Sequence, residues 1–123
     1  MRILIVDDSA TMRNIQRTFL QMHGYHEVQE ACDGLDALNK AEAFQPDFLL
    51  VDRDMPTMDG MSFVKQYRAQ GGGGLIVMVL SEAEKSRRHE AFDAGANNTI
   101  VKPFSPDLLS RCILETLERN AAA

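Results

Sequence analysis

Four short apolar runs constrain this chain more than any other feature: ILIV at 3–6, FLLV at 48–51, LIVMVL at 75–80 and TIV at 99–101. Each is apolar on consecutive positions, as expected of strands covered on both faces, so they read as parallel strands. A fifth stretch, HEVQEA at 26–31, alternates weakly and reads as an edge strand. Helical periodicity fills the gaps. Met12, Ile15, Phe19 and Met22 form one stripe behind a Ser9 cap, and Leu35, Leu38 and Ala41 a second. Met61, Phe63, Val64 and Tyr67 form a third, and Ala91 and Phe92 belong to a fourth. Leu108, Leu109, Cys112, Ile113 and Leu117 form the fifth, opened by Ser105 and Pro106. All read as core faces. Five strand–helix alternations predict an open α/β sheet with helices on both sides. One domain is expected over 1–120, with 121–123 as a disordered tail. GGGG at 71–74 reads as a flexible surface loop, because no Lys-Ser/Thr pair follows it to make a phosphate cradle.

Charge narrows the partners. A net charge of −5 argues against sequence-independent binding to nucleic acid or to an anionic membrane surface. No apolar run approaches a membrane span, and MRILIVDD turns acidic too soon for a signal peptide. Cys32 and Cys112 lack CxxC spacing and are expected to be free, buried thiols of a cytoplasmic protein.

In sheets of this kind the ligand crevice lies beyond the carboxyl ends of the strands. The first run delivers Asp7 and Asp8 there, the third Asp52, the fourth Ser81 and Glu82, and the last Lys102 and Pro103. Three carboxylates brought together repel one another, and a hard cation with oxygen ligands removes that repulsion; the sparse set suits magnesium better than calcium. Lys102 can pair with one of the acids or with an incoming anion.

The motifs VDDS, VDRDMPTMDG and VKPF, in this order and spacing, resemble the receiver domain of bacterial response regulators, the CheY-like family. The resemblance covers essentially the whole chain. It implies a doubly wound (βα)5 fold, a five-stranded parallel sheet of order 2-1-3-4-5. It further implies that Asp52 accepts a phosphoryl group from a phosphohistidine on a sensor histidine kinase or a histidine phosphotransfer protein. Asp8 and Asp52 would bind Mg2+ (or Mn2+) directly, Asp7 through water, and Asp54 through its backbone carbonyl. Lys102 would contact the acyl phosphate, with a cis Lys102–Pro103 bond. Output is expected through protein contacts of the fourth helix, fifth strand and fifth helix, in a monomer or weak dimer. The stretch SATMRNIQRTFL more loosely resembles chemotaxis-type receivers.

Two positions leave the family pattern. The switch hydroxyl falls on Leu80; either Ser81, one residue later, takes that catalytic role, or the switch is weakened, which is the preferred expectation. The aromatic switch position in the fifth strand reads Thr99. Asp54 and Glu82 are two further acids expected to modulate the phosphoryl group. Three other readings compete. A haloacid-dehalogenase-like phosphatase would explain the D-x-D of DRDMPT, but Pro56 stands where that family wants Thr or Val. An FMN carrier would have its phosphate repelled by Asp7 and Asp8. A receiver-fold binding module with little phosphorylation dependence is the serious alternative, favoured by Leu80 and Thr99.

Overall fold

The computed structural model describes residues 1–121. Five parallel strands, β1 (Ile3–Val6), β2 (Val28–Ala31), β3 (Phe48–Asp52), β4 (Leu75–Leu80) and β5 (Asn98–Val101), form one sheet of order β2-β1-β3-β4-β5. Helices α1 (Ala10–Met22), α2 (Gly34–Phe44), α3 (Gly60–Ala69) and α4 (Arg88–Ala94) separate them, and α5 (Pro106–Ala121) follows β5. A 3₁₀ segment, Glu82–Arg87, precedes α4. The expected architecture and strand order are those observed.

The consecutive apolar positions are explained by burial on both faces. Leu4, Val6, Leu49, Val51, Ile76, Met78 and Leu80 face the side covered by α2, α3 and α4. Ile3, Ile5, Phe48, Leu50, Val77, Val79 and Ile100 face α1 and α5. Edge strand β2 begins at Val28, two residues inside the expected stretch, and β5 begins one residue earlier than expected, at Asn98. Caps start the helices as the residue types suggest. Ser9 Oγ accepts from Met12 N–H at 3.2 Å, and Ser105 Oγ accepts from Leu108 N–H at 3.0 Å.

Several helix faces differ from the stripes read in the sequence. In α1 the buried residues are Gln16 and Leu20, while Ile15 is 37% and Met22 65% exposed. One buried glutamine broke the apolar period, so the counted stripe is offset from the true face. In α2, Gly34, Ala37 and Ala41 are buried and Leu35 is exposed: small residues let the helix lie close to the sheet. Phe92 and Leu108 are likewise exposed at the expense of Ala91 and Leu109. Cys112 is buried as expected, but Cys32 is exposed, because it lies in the turn that follows the edge strand β2. Helix α5 runs through Ala121, the first residue of the expected tail; 122–123 lie outside the described residues.

The glycine run is more than a flexible connector. Arg68 donates to the carbonyls of Gly72 (3.0 Å) and Gly74 (2.7 Å), and Tyr67 Oη accepts from Gly74 N–H at 2.9 Å. A Cβ on Gly72 would sit 2.4 Å from the Tyr67 ring, so only glycine fits under it.

Candidate functional site

Strand parity and register build the site. Ile3 and Ile5 face the α1/α5 side, so Asp7, two residues on, points the same way; Leu50 does the same for Asp52. Val6 pairs with Val51, which brings the two acids together just past the apolar cover. Both are almost fully buried, with Asp7 at 1% and Asp52 at 3% exposure. Asp8 is exposed at the mouth. Oxygens of Asp7, Asp8 and Asp52 all lie within 4.8 Å of one another.

Loop geometry then holds Asp52 in place. Gly60 N–H donates to Arg53 O at 2.9 Å, and a Cβ on Gly60 would fall 2.3 Å from the Asp52 carbonyl oxygen. Helix α3 can therefore start against the acceptor's own backbone only with glycine there. Asp59 caps that helix, accepting from Ser62 N–H at 2.8 Å. From the end of β5, Lys102 Nζ donates to Asp52 Oδ1 at 3.0 Å, and the Lys102–Pro103 peptide is cis.

The electrostatics are those of a crowded acid site. Burial pushes the Asp52 carboxyl up to about 6, against the pull of the Lys102 hydrogen bond and with further upward pressure from Asp7. Asp7 is also raised, chiefly by burial, although it accepts from Ser9 N–H at 2.9 Å. Burial, the largest single influence, would lower Lys102, but the hydrogen bond to Asp52 and the charges of Asp52, Asp7 and Glu84 together outweigh it, and the ammonium is raised. Asp7 Oδ2 is buried and has no hydrogen-bond partner among the described residues. An orphaned buried carboxylate oxygen beside two further carboxylates fits a hard divalent cation, whose preferred donors are oxygens.

The remaining sequence candidates fall into different surroundings. Asp54 is largely exposed, its carboxyl raised mainly through a contact with Glu84. Ser81 lies beyond β4 with its N–H donating to Glu84 Oε1 at 2.7 Å. Glu82 is exposed and pairs with Lys85 at 2.6 Å. Leu80 is 1% exposed and packs into the core on the α2/α3/α4 side. Thr99 sits half-buried in β5 and lines a groove of about 440 Å³ between α4, β5 and α5 with Arg88, Phe92, Leu108 and Arg111. Of the basic residues Arg87, Arg88 and His89, Arg87 holds Glu90 through two hydrogen bonds of 2.6 and 2.8 Å, which partly neutralises that stretch.

Sequence reasoning missed Arg53 and Glu84. Arg53 donates to Glu84 at 3.0 Å and to Glu90 at 3.2 Å, and Glu84 is the acid that reaches Asp54. The one local signal was the capping-box spacing of Ser81 and Glu84, and nothing in it pairs Glu84 with Arg53.

The known proteins agree with this geometry. The family model of the response regulator receiver domain matches residues 3–114. The chain is 39% identical to chemotaxis protein CheY1 of Helicobacter pylori (strain J99) over 123 residues, covering 98% of this chain and 99% of that one. It is 39% identical to chemotaxis protein CheY-3 of Vibrio cholerae over 121 residues, 97% of this chain and 93% of that one. The solved structure of the V. cholerae chemotaxis response regulator CheY4 superposes with a TM-score of 0.86 at 36% identity, covering 94% of this chain and 98% of that one. A shared fold, near-complete coverage and a matching family model lead to one conclusion: this chain belongs to the CheY-like response regulator receiver-domain family of two-component signalling.

Proposed function

We propose that this chain is a phospho-accepting switch. Asp52 takes a phosphoryl group from a phosphohistidine on a sensor histidine kinase or histidine phosphotransfer protein and later loses it by slow self-hydrolysis. The observation that carries the reading is the buried Asp52 carboxylate with the Lys102 ammonium 3.0 Å away, beside Asp7 and Asp8. In the transfer an Asp52 oxygen attacks phosphorus. The O–P bond forms as the P–N bond to the donor imidazole breaks, and the imidazole keeps the electron pair and takes a proton from solvent. Lys102 favours the ionised nucleophile and holds positive charge where the transferred oxygens arrive. In the return step water attacks phosphorus, the O–P bond breaks, and phosphate leaves with Asp52 restored. Asp7, Asp8 and Asp52, with the Asp54 carbonyl, would hold Mg2+, for which Mn2+ can substitute. When bound, the ion supplies the positive charge that three carboxylates and a phosphoryl group lack. The protein acts on itself and turns over no separate substrate.

The α4–β5–α5 groove, flanked by Arg88 and Arg111 with exposed Phe92 and Leu108, is the proposed docking face for a downstream protein in the cytoplasm. No helix among the described residues is long and apolar enough to cross a membrane. Chemotaxis is the proposed pathway, on the names of the relatives alone. Buried Leu80 favours a second reading, a receiver-fold binding module with weak switching, since leucine offers a phosphoryl oxygen no hydrogen bond. The deciding experiment is incubation with acetyl phosphate or phosphoramidate and Mg2+, followed by intact mass. One phosphoryl adduct is expected on the wild type and none on Asp52→Ala; an adduct surviving in Asp52→Ala, or absent from both, would overturn the proposal.

A further inference from the structure

Leu80 puts no hydroxyl at the end of β4 itself, yet a different tie joins the segment after it to Asp52. Arg53 follows Asp52 directly, and its backbone is held on both sides. Its N–H donates to Val79 O at 3.1 Å, and its carbonyl accepts from Gly60 N–H at 2.9 Å. From that base the guanidinium reaches across the rim. Nη1 donates to Glu84 Oε2 at 3.0 Å, in the 3₁₀ segment, and Nη2 to Glu90 Oε1 at 3.2 Å, in α4. The Arg53 and Glu84 side chains are 15% and 12% exposed, so solvent and salt screen this tie less than an ordinary surface pair. Glu84 Oε1 in turn accepts from Ser81 N–H, the first residue beyond β4. One arginine thus ties the acceptor loop to the whole of 81–90.

That guanidinium already has a choice of partners, because Asp54 Oδ1 lies 3.7 Å from the same Nη1. A phosphoryl group on Asp52 would add negative charge and further acceptor oxygens one residue away, and guanidinium is the side-chain group best matched to phosphate oxygens. We propose that Arg53 couples modification of Asp52 to the 3₁₀ segment and α4. It holds Glu84 and Glu90 while Asp52 is bare and turns to the phosphoryl oxygens when they arrive, releasing both. The inference rests on the phosphoacceptor reading above and supplies the differential contact that a two-state switch requires. Glu84, once released, is a buried carboxylate that has lost its guanidinium, so the segment around it loosens.

Amide hydrogen exchange of the full chain, with and without phosphoramidate and Mg2+, tests this alongside intact mass. Exchange over 82–90 is expected to rise about tenfold in the modified wild type, between the effects of losing an exposed and a buried ion pair. Arg53→Gln should be fast before modification and unchanged after it. Arg53→Lys keeps the charge but offers one ammonium to two carboxylates, so it should respond partially, and it decides the matter if Arg53→Gln does not fold. An adduct on the wild type without a change over 82–90, or a full response retained in either variant, would overturn the coupling role alone. Absence of any adduct on the wild type would overturn the phosphoacceptor reading, and this one with it.

Discussion

Asp54 shows how one side chain's role depends on its neighbours. Its carboxyl is largely exposed, is raised chiefly by its contact with Glu84, and adds to the upward pressure on Asp52. Any negative charge it carries therefore faces an incoming anionic donor. Asp54→Asn is expected to speed phosphorylation by a small-molecule donor about two- to fivefold, the scale of a screened charge near the surface. Rates followed by intact mass at low and high salt check this, with the gain shrinking as salt rises; an unchanged or slower rate would refute it. Thr57, three residues on, has φ +69°, a conformation unfavourable for a β-branched residue, so the loop after the acceptor carries local strain. Neither feature can be read from residue type alone. The acid cluster itself could be, because each acid follows an apolar run and such runs end on one rim.

At the scale of elements, arginines do the fastening. Arg13 and Arg17 both bind Glu30, at 3.0 and 2.7 Å, and so pin the edge strand β2 to α1. Arg68, near the end of α3, donates to Gly72 O, Gly74 O, Gly95 O and Asn97 Oδ1. It fixes the glycine run and the α4–β5 turn at the end of the sheet away from Asp52. Arg68→Ala is expected to destabilise the fold by about 2 kcal/mol, as carbonyls lose a charged donor and recover water only in part. Urea unfolding would measure it, and the Asp52 phosphorylation rate should be unchanged; a loss below about 0.5 kcal/mol, the range of ordinary surface substitutions, would show that water replaces the arginine. The same residue explains why GGGG looked like a loose linker: its order comes from a side chain on another element.

For the whole molecule, the site sets a pH dependence of stability. The folded protein holds the Asp52 proton up to about pH 6, while the unfolded chain releases it near 3.8. Unfolding between these values releases a proton, so stability falls as pH rises through the window, and the full cost is present above pH 6. Asp52→Asn removes that cost and is expected to be more stable than the wild type by about 3 kcal/mol at pH 7, with little difference at pH 4. Mg2+ should narrow the gap at pH 7 by offsetting the charge on the carboxylates. Denaturant curves at both pH values, with and without Mg2+, measure it. Equal stability of the two proteins at pH 7 would mean that burial does not penalise the ionised acid.

Hydrophobic periodicity alone determined the alternation of strands and helices, the coverage of the sheet on both faces, and the delivery of Asp7, Asp8, Asp52 and Lys102 to one rim. Those follow from local pattern and from the rule that parallel strands present their carboxyl ends together. Tertiary structure decided which face of α1 and α2 is buried, since one glutamine and a few small residues fit against the sheet better than a counted apolar stripe. It also placed Cys32 in solvent, locked the glycine run through Arg68, sent Glu82 outward and brought in Arg53 and Glu84. Contacts between residues 31 positions apart, such as Arg53 with Glu84, leave no periodic mark in a sequence. Only the closing of β3 against β4 makes them neighbours.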